Sequence, residues 1–229
     1  MFNLIANIIS WIFIIILAMV GAFIDKKNVK NPSIFALCLM AMFVAMTVLL
    51  TNLISYSFAF FGNQVQLNFG QFILFISGML FGPFYGVICG ICSDSIGAIT
   101  NIKGAYSSIF TLDAAITGFA GSAVFFFRTN KYWYWKMVMI YCAQFFLISF
   151  FNDEIWLWIV FGKGYALSSL MIKLIKYPIE CLIYTNLTSL VFLALFNILD
   201  HSLYNDYWCY KNGGRLTFKK SKKDNVVEL

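Results

Sequence analysis

Charged side chains inside long apolar stretches are the residues whose chemistry most needs an explanation. Asp94 and Asp113 lie in two consecutive apolar stretches. Lys173, Lys176 and Glu180 lie in a later one, at spacings of three and four residues that place them on one face of a helix. A charged group at membrane depth is costly and usually faces a partner or a wet cavity. These groups either pair with one another, as Lys176 and Glu180 can, or contact a ligand.

Small residues accompany the first carboxylate. Gly86, Gly90, Asp94 and Gly97 follow one another at spacings of four, four and three, so they share a helix face. Glycines on such a face let another helix approach closely, and Asp94 then points into that contact. Its carboxylate either holds neighbouring loops in place or touches the donor groups of a ligand. Thr111 and Asp113 are expected at the same depth on the next helix.

The composition defines the class of protein. Hydrophobic residues make up 61% of the chain, charged residues 11%, and the mean hydropathy is +0.81. A soluble domain would carry about 25% charged residues. Apolar runs near 20 residues are long enough to cross about 30 Å of hydrocarbon as helices, and the alternation expected of a membrane β-barrel is absent. The sequence therefore predicts an all-α integral membrane protein.

Seven membrane helices are predicted, because polar breaks divide the apolar sequence into seven runs. The runs cover approximately residues 4–24, 33–60, 69–81, 83–100, 108–127, 135–161 and 167–199. The first has its positive charge after it and no small-residue cleavage site, so it is expected to be retained as a helix rather than removed as a signal peptide. The predicted organisation is an extra N-terminal helix with a basic loop (1–31), a six-helix domain (32–200) and a polar tail (201–229).

Basic residues predict the orientation. Twelve of the 16 lie in the segments 25–32 and 128–136 and in the C-terminal tail, which alternating topology places on one side. The positive-inside rule makes that side cytoplasmic, so we expect a multi-pass plasma-membrane protein with a cytoplasmic C-terminus. The net charge of +6 then reflects topology and does not indicate nucleic-acid binding.

The remaining four lysines are placed by this topology on the outer side. They are expected either to attract an anion or to be solvated and snorkelling; they are Lys103, Lys163, Lys173 and Lys176.

The sequence lacks the residues that several kinds of chemistry require. The chain has no P-loop motif, and His201, the only histidine, lies outside the predicted helices. The Cys89–Cys92 pair has no second pair, so we expect packed thiols rather than a disulfide or a metal site. We therefore expect a binding or transport protein without cofactor, not an enzyme. Aromatic residues that can stack on a flat ligand, or simply pack in the membrane, are Tyr106, Phe110, Trp156 and Trp158.

Two adjacent segments carry a resemblance to a known family. LFGPFYGVICGICSDSIGAI followed by GAYSSIFTLDAAITGFAG resembles the substrate-binding (S) components of energy-coupling-factor (ECF) vitamin transporters, and within them the folate family. That family's pattern runs approximately LFGPxxGxxxGxxxDxxG, then GxYxxxFTLxAxxTGxxxG. The positions that match it are Leu80, Phe81, Gly82, Pro83, Gly86, Gly90, Asp94, Gly97, Gly104, Tyr106, Phe110, Thr111, Leu112, Ala114, Thr117 and Gly118.

The resemblance implies a fold and a mode of action. Such S components are six-helix bundles that hold an unmodified vitamin near the outer face, so the chain would have one extra N-terminal helix. Ala41 and Ala45 are similar to the AxxxA surface that docks on a transmembrane coupling subunit, and two ATPase subunits supply the energy. The S component is thought to topple in the bilayer to release its vitamin inward. The residues expected to bind substrate are Asp94, Lys103, Tyr106, Phe110, Thr111, Asp113, Trp156, Lys163, Lys173 and Lys176.

Two departures bear on the identity of the vitamin. Asp113 stands where the family more often has a small or hydroxyl residue, and the last helix has lysines where an arginine-containing site is expected. Folate carries a flat pterin and two carboxylates, which suit the aromatic residues and the lysines. S components for pantothenate, thiamine or riboflavin remain alternatives. So do a self-contained secondary transporter, which would show an inverted repeat, and a membrane enzyme acting on lipid or isoprenoid.

Overall fold

The computed structural model describes residues 2–30, 34–52, 56–60, 63–100, 106–126, 132–200 and 207–209. Within these ranges the chain forms helices and one two-stranded hairpin. The elements are α1 (Phe2–Ile24), α2 (Lys26–Lys30), α3 (Ile34–Asn52), β1 (Tyr56–Phe60), β2 (Asn63–Leu67), α4 (Gly70–Phe81), α5 (Pro83–Thr100), α6 (Ser108–Ala123), α7 (Trp133–Phe146), a π-helical segment (Leu147–Asn152), α8 (Asp153–Phe161) and α9 (Lys163–Asp200). Five of the described helical segments are long and apolar enough to cross a membrane.

The predicted second helix is wrong beyond Asn52. The sequence was expected to continue as a helix to residue 60, whereas residues 56–67 contain an antiparallel hairpin in which Tyr56 pairs with Leu67 and Phe60 with Asn63. The segment YSFAF alternates aromatic and small residues with the two-residue period of a strand. A glycine at residue 62, between the strands, is typical of a turn. Hydrophobicity alone did not distinguish this strand from the end of a helix.

Helix α4 is short and lies inside the bundle. Its 12 residues span about 18 Å, which is less than the hydrocarbon thickness of about 30 Å. Every residue of α4 except Gln71 is buried, and α3, α5, α6 and α9 pack around it. Because its backbone is enclosed by protein rather than lipid, a helix of this length satisfies the requirement that polar groups be shielded from hydrocarbon.

Helices α4, α5 and α6 meet at glycines. A Cβ atom at Gly118 would overlap the carbonyl oxygen of Gly86, and one at Gly78 would overlap the carbonyl oxygen of Gly118. The predicted close approach of another helix to the Gly86 and Gly90 face is therefore confirmed. Gly97 lies outside this contact, since its nearest neighbour is the side chain of Asn52 in α3.

Described segments near the N-terminus and in the C-terminal tail pack on the bundle. The predicted N-terminal helix is present as α1, and it lies against α5 and α6, with Gly21 in backbone contact with Phe84. In the predicted polar tail, residues 207–209 are buried, and the indole nitrogen of Trp208 donates to the carbonyl oxygen of Ser122 at 3.0 Å. The tail is therefore not polar and solvated throughout.

The last two predicted helices are continuous but irregular. The π-helical segment Leu147–Asn152 connects α7 to α8, and α9 runs for 38 residues through Pro178. A reversal at Gly162, whose φ of +86° suits glycine, joins α8 to α9. Single turns of π-helix are rare and often occur at functional sites. The segment lies where the polar residues of this part of the chain converge.

Gly118→Ala tests the contact between α5 and α6. The added methyl group meets a backbone carbonyl oxygen that cannot rotate away. Overpacking of this kind costs about 1–3 kcal/mol, so we expect a lower unfolding temperature for the detergent-purified protein. Gly97→Ala is the matched control, because its nearest neighbour lies at 3.8 Å, and it should leave the unfolding temperature nearly unchanged. Equal losses in both variants would contradict the described packing.

Candidate binding cavity

A cavity of about 540 Å³ lies at one end of the bundle. We call this the cavity end; it contains the C-terminus of α5 and the N-terminus of α6. Polar side chains line the cavity together with apolar ones. The polar lining residues are Thr47, Thr51, Asn52, Asn68, Gln71, Ser93, Asp94, Tyr106, Ser107, Asp113, Thr117, Ser149, Asp153, Lys173, Lys176, Tyr177, Glu180 and Tyr184. The predicted residues Asp94, Tyr106, Phe110, Asp113, Lys173 and Lys176 are therefore brought together at one cavity.

A chain of hydroxyl groups holds the carboxylate of Asp94. The hydroxyl of Thr111 donates to Asp94 Oδ2 at 2.6 Å, and it lies 2.6 Å from the hydroxyl of Tyr106. Since Thr111 uses its proton on the carboxylate, Tyr106 is the donor in the second bond. The second carboxylate oxygen of Asp94 has further acceptor capacity. Asp94 thus both ties α5 to α6 and contributes acceptor oxygen to the cavity, so the two roles left open by the sequence are compatible.

Asp113 is held by the π-helical segment. The side-chain amide of Asn152 donates to Asp113 Oδ1 at 2.5 Å. One turn further along α6, the hydroxyl of Thr117 donates to the Asp113 carbonyl oxygen at 2.8 Å and lies 3.2 Å from Gln144 Oε1. These bonds fix α6 to α7 and to the π-helical segment beneath the cavity. A second carboxylate is therefore presented to the cavity from α6.

Lys173 is surrounded by acceptors from α8 and the π-helical segment. Its ammonium nitrogen lies 3.0 Å from Glu154 Oε1 and 3.5 Å from Asp153 Oδ2. It also donates to the carbonyl oxygen of Ser149 at 3.1 Å. The hydroxyl of Ser169 supports Glu154 at 3.1 Å. This cation lines the cavity, yet carboxylates of the protein itself balance its charge.

Lys176 is paired in a similar way. Its ammonium nitrogen lies 3.0 Å from Glu180 Oε1, and the hydroxyl of Tyr184 lies 3.4 Å from the same oxygen. The alternative in which Lys176 and Glu180 pair with each other is therefore confirmed. An ammonium group has three donors, and an ion pair that lines a cavity can exchange one acceptor for another. Both lysines thus line the cavity while paired with carboxylates of the protein.

The other predicted site residues have different positions. Lys163 begins α9, where its ammonium nitrogen lies 5.6 Å from the centre of the Trp158 ring, and it does not line the cavity. Lys103 and the side chain of Trp156 lie outside the described residues. Thr111 does not itself line the cavity, although its hydroxyl contacts Asp94 and Tyr106, which do. Within the described residues, no group of three or more metal-ligating side chains occurs.

Sequence reasoning missed several residues of the site. Asp153 and Asn152 belong to the polar run Asn-Asp-Glu at residues 152–154, within an otherwise apolar predicted helix. That run was a usable signal, because acidic groups at membrane depth usually have partners. Asn52 donates to the Gly97 carbonyl oxygen at 3.2 Å and to the Thr100 hydroxyl at 2.8 Å. This role was not predicted, because a polar residue at the end of an apolar run does not by itself indicate a contact with another helix.

The predicted docking residues lie on the surface. Ala41 and Ala45 are exposed on α3, on the face opposite the buried residues Met40, Phe43 and Thr47. Met42 and Met46, which are 62% and 51% exposed, lie on the same outer face. The small-residue surface of α3 is therefore open to lipid or to another helix.

These features are those of a polytopic membrane protein with a polar binding cavity. No family model matches the chain. It is 30% identical over 124 residues to the "Folate transporter FolT" of Clostridium novyi (strain NT), a match that covers 52% of this chain and 70% of the relative. The chain belongs to this family of folate transporters. The crystal structure of FolT bound with folic acid matches with a TM-score of 0.57 at 21% identity, over 69% of this chain and 94% of that one.

The structural match concerns the fold. It covers nearly the whole of the solved FolT chain but leaves part of this chain unmatched. The relative confirms the predicted family, and the structural match confirms the predicted all-α membrane class of fold.

Thr111→Val tests the hydroxyl chain. The substitution preserves the shape of the side chain but removes the donor to Asp94. Leaving a charged acceptor without its partner costs about 1–3 kcal/mol, so the ligand-free protein should unfold at a lower temperature. Tyr106→Phe is the control, because it removes only the outer hydroxyl and should cost about 1 kcal/mol or less. A loss with Tyr106→Phe as large as that with Thr111→Val would contradict the order of donors in the chain.

Proposed function

We propose that this protein is the membrane-embedded folate-binding S component of an ECF-type importer. It binds folate without modifying it and delivers it to a transmembrane coupling subunit that is powered by two ATPase subunits. The observation that carries the proposal is the cavity of a folate-transporter family member, in which carboxylates on α5 and α6 face lysines on α9.

The two walls of the cavity match the two ends of a folate molecule. A pterin ring carries amino and ring N–H donors, for which Asp94 and Asp113 supply acceptor oxygens. The glutamate end carries carboxylates, for which Lys173 and Lys176 supply donors. A cavity of about 540 Å³ lies within the range of about 300–1,000 Å³ typical of sites for ligands of this size. Tyr106 and Phe110 line the cavity as well and offer aromatic surface to a flat ring.

The orientation follows from the basic residues. With residues 25–32 and the C-terminal tail in the cytoplasm of a plasma-membrane protein, the cavity end faces outward, where a vitamin arrives. By the same predicted topology, Lys103 and Lys163 are proposed to attract an anionic ligand toward the cavity, and Trp156 is proposed as a further substrate-binding residue. The bundle topples in the bilayer to release folate to the cytoplasm.

Ligand-dependent stabilisation tests the substrate. Detergent-purified protein is heated with folic acid, pantothenate, thiamine or riboflavin, each in excess. A ligand at 1,000 times its Kd stabilises the native state by about 4 kcal/mol, so folic acid should raise the unfolding temperature by several degrees and the others should not. A shift with pantothenate, thiamine or riboflavin but none with folic acid would overturn the choice of substrate.

Uptake tests the class of transporter. Cells that express this chain alone should bind folate without accumulating it, and co-expression of a coupling subunit and two ATPases should restore accumulation. Uptake by the isolated chain in proteoliposomes would support a self-contained secondary transporter and would refute the proposal.

Ala41→Leu tests the docking surface. The larger side chain projects from the exposed face of α3 and should prevent close approach of a partner helix. We expect unchanged folate affinity of the purified chain together with a severe loss of uptake in the complete complex. Ala194→Leu makes the same change at an exposed position of α9 and should leave both quantities unchanged. Equal loss of affinity and uptake in Ala41→Leu would exclude a specific docking role.

A further inference from the structure

Helix α1 attaches to the bundle along a narrow seam. Ser10 and Ile14 are 4% and 2% exposed, and Gly21 is in backbone contact with Phe84 of α5. The opposite face is open, with Ile12 and Met19 51% and 59% exposed. A helix that served only as a membrane anchor would need no specific contacts of this kind. The seam therefore fixes α1 to α5 and α6 in one position.

Asn7 continues this seam to the cavity end. Its Oδ1 accepts a hydrogen bond from the backbone N–H of Ser108 at 3.1 Å and lies 2.9 Å from the Ser108 hydroxyl. That hydroxyl is also 3.1 Å from the backbone carbonyl oxygen of Asn7. These bonds join residues 101 positions apart in the sequence.

The bonded N–H belongs to the first turn of α6. The first N–H groups of a helix have no partner within it and are usually capped by the side chain before it. Ser107 occupies that N-cap position with an extended backbone (φ −131°, ψ 123°) but makes no side-chain capping bond, and its buried hydroxyl lacks a partner. Asn7 therefore supplies from α1 the cap that α6 does not supply for itself.

The same turn of α6 builds one wall of the cavity. Phe110 lines the cavity, and the next residue, Thr111, joins Tyr106 to Asp94. Asp113 follows within one further turn and also lines the cavity. If the first turn of α6 frays, Thr111 and Asp94 lose their alignment, and a ligand must restore that turn before it can bind.

We propose that Asn7 is a positioning residue for the cavity, acting through the first turn of α6, and that α1 is part of the ligand-binding unit. This inference rests on the proposed function, because its effect is measured on folate. Loss of a helix cap costs about 1 kcal/mol. When ligand binding must offset that cost, affinity falls about fivefold.

The test compares three variants purified in saturating folic acid, which protects a weakened fold. Dissociation of radiolabelled folic acid is followed after dilution. Asn7→Ala should release the ligand about three to ten times faster than the wild-type protein. Asn7→Asp, which keeps an acceptor oxygen, should restore slow release. Ser10→Ala is the control. It removes a hydroxyl of the same seam, but the hydrogen bond of that hydroxyl stays within α1, so this variant should release ligand at the wild-type rate.

Hydrogen exchange provides a readout without ligand. The amides of residues 108–111 should exchange faster in ligand-free Asn7→Ala than in the wild type or in Ser10→Ala. If the exchange rates and the release rates of Asn7→Ala equal those of the wild type, the inference is overturned. It is also overturned if Ser10→Ala accelerates exchange and release as much as Asn7→Ala does. A wild-type protein that binds no folic acid would refute the proposed function, and the role of Asn7 in folate affinity with it.

Discussion

The glycine contact among α4, α5 and α6 is the constraint on which the rest of the structure depends. Backbone touches backbone at Gly78, Gly86 and Gly118, which brings the three helices closer than larger side chains would permit. Within lipid there is little hydrophobic gain from bringing helices together, so such close packing supplies much of the attraction between them. The short helix α4 can then remain enclosed, because its neighbours cover its backbone on every side.

Close packing at the glycines also determines where the polar groups meet. With α5 and α6 in contact, Asp94 and Thr111 lie within hydrogen-bond distance, and the carboxylate is satisfied although it lies among membrane helices. Further toward the cavity end, residues of α3 and α9 line the cavity together with residues of α5 and α6. The arrangement combines a rigid centre with an open end, as pre-organised binding of a ligand requires.

Much of this fold follows from local sequence, and the rest depends on contacts that the sequence does not display. Helix α5 begins at Pro83 and ends at Thr100, as predicted, because proline and the polar break define its limits. The strand at residues 56–60 was missed, since a short apolar run suits either a strand or a helix. The π-helical segment has no sequence signature that distinguishes it from the α-helix around it. Asn7 gave no signal at all, because its partner lies on a distant helix.

The pairing of the cavity lysines has a consequence for the electrostatics of the bundle. Lys173 and Lys176 each lie next to internal carboxylates, so the protein itself balances the charge of both ammonium groups. Neither ammonium group is therefore left bare in a medium of low dielectric constant. Under the proposed function, an anionic ligand competes with the protein's own carboxylates for these ammonium groups, as one counter-ion competes with another.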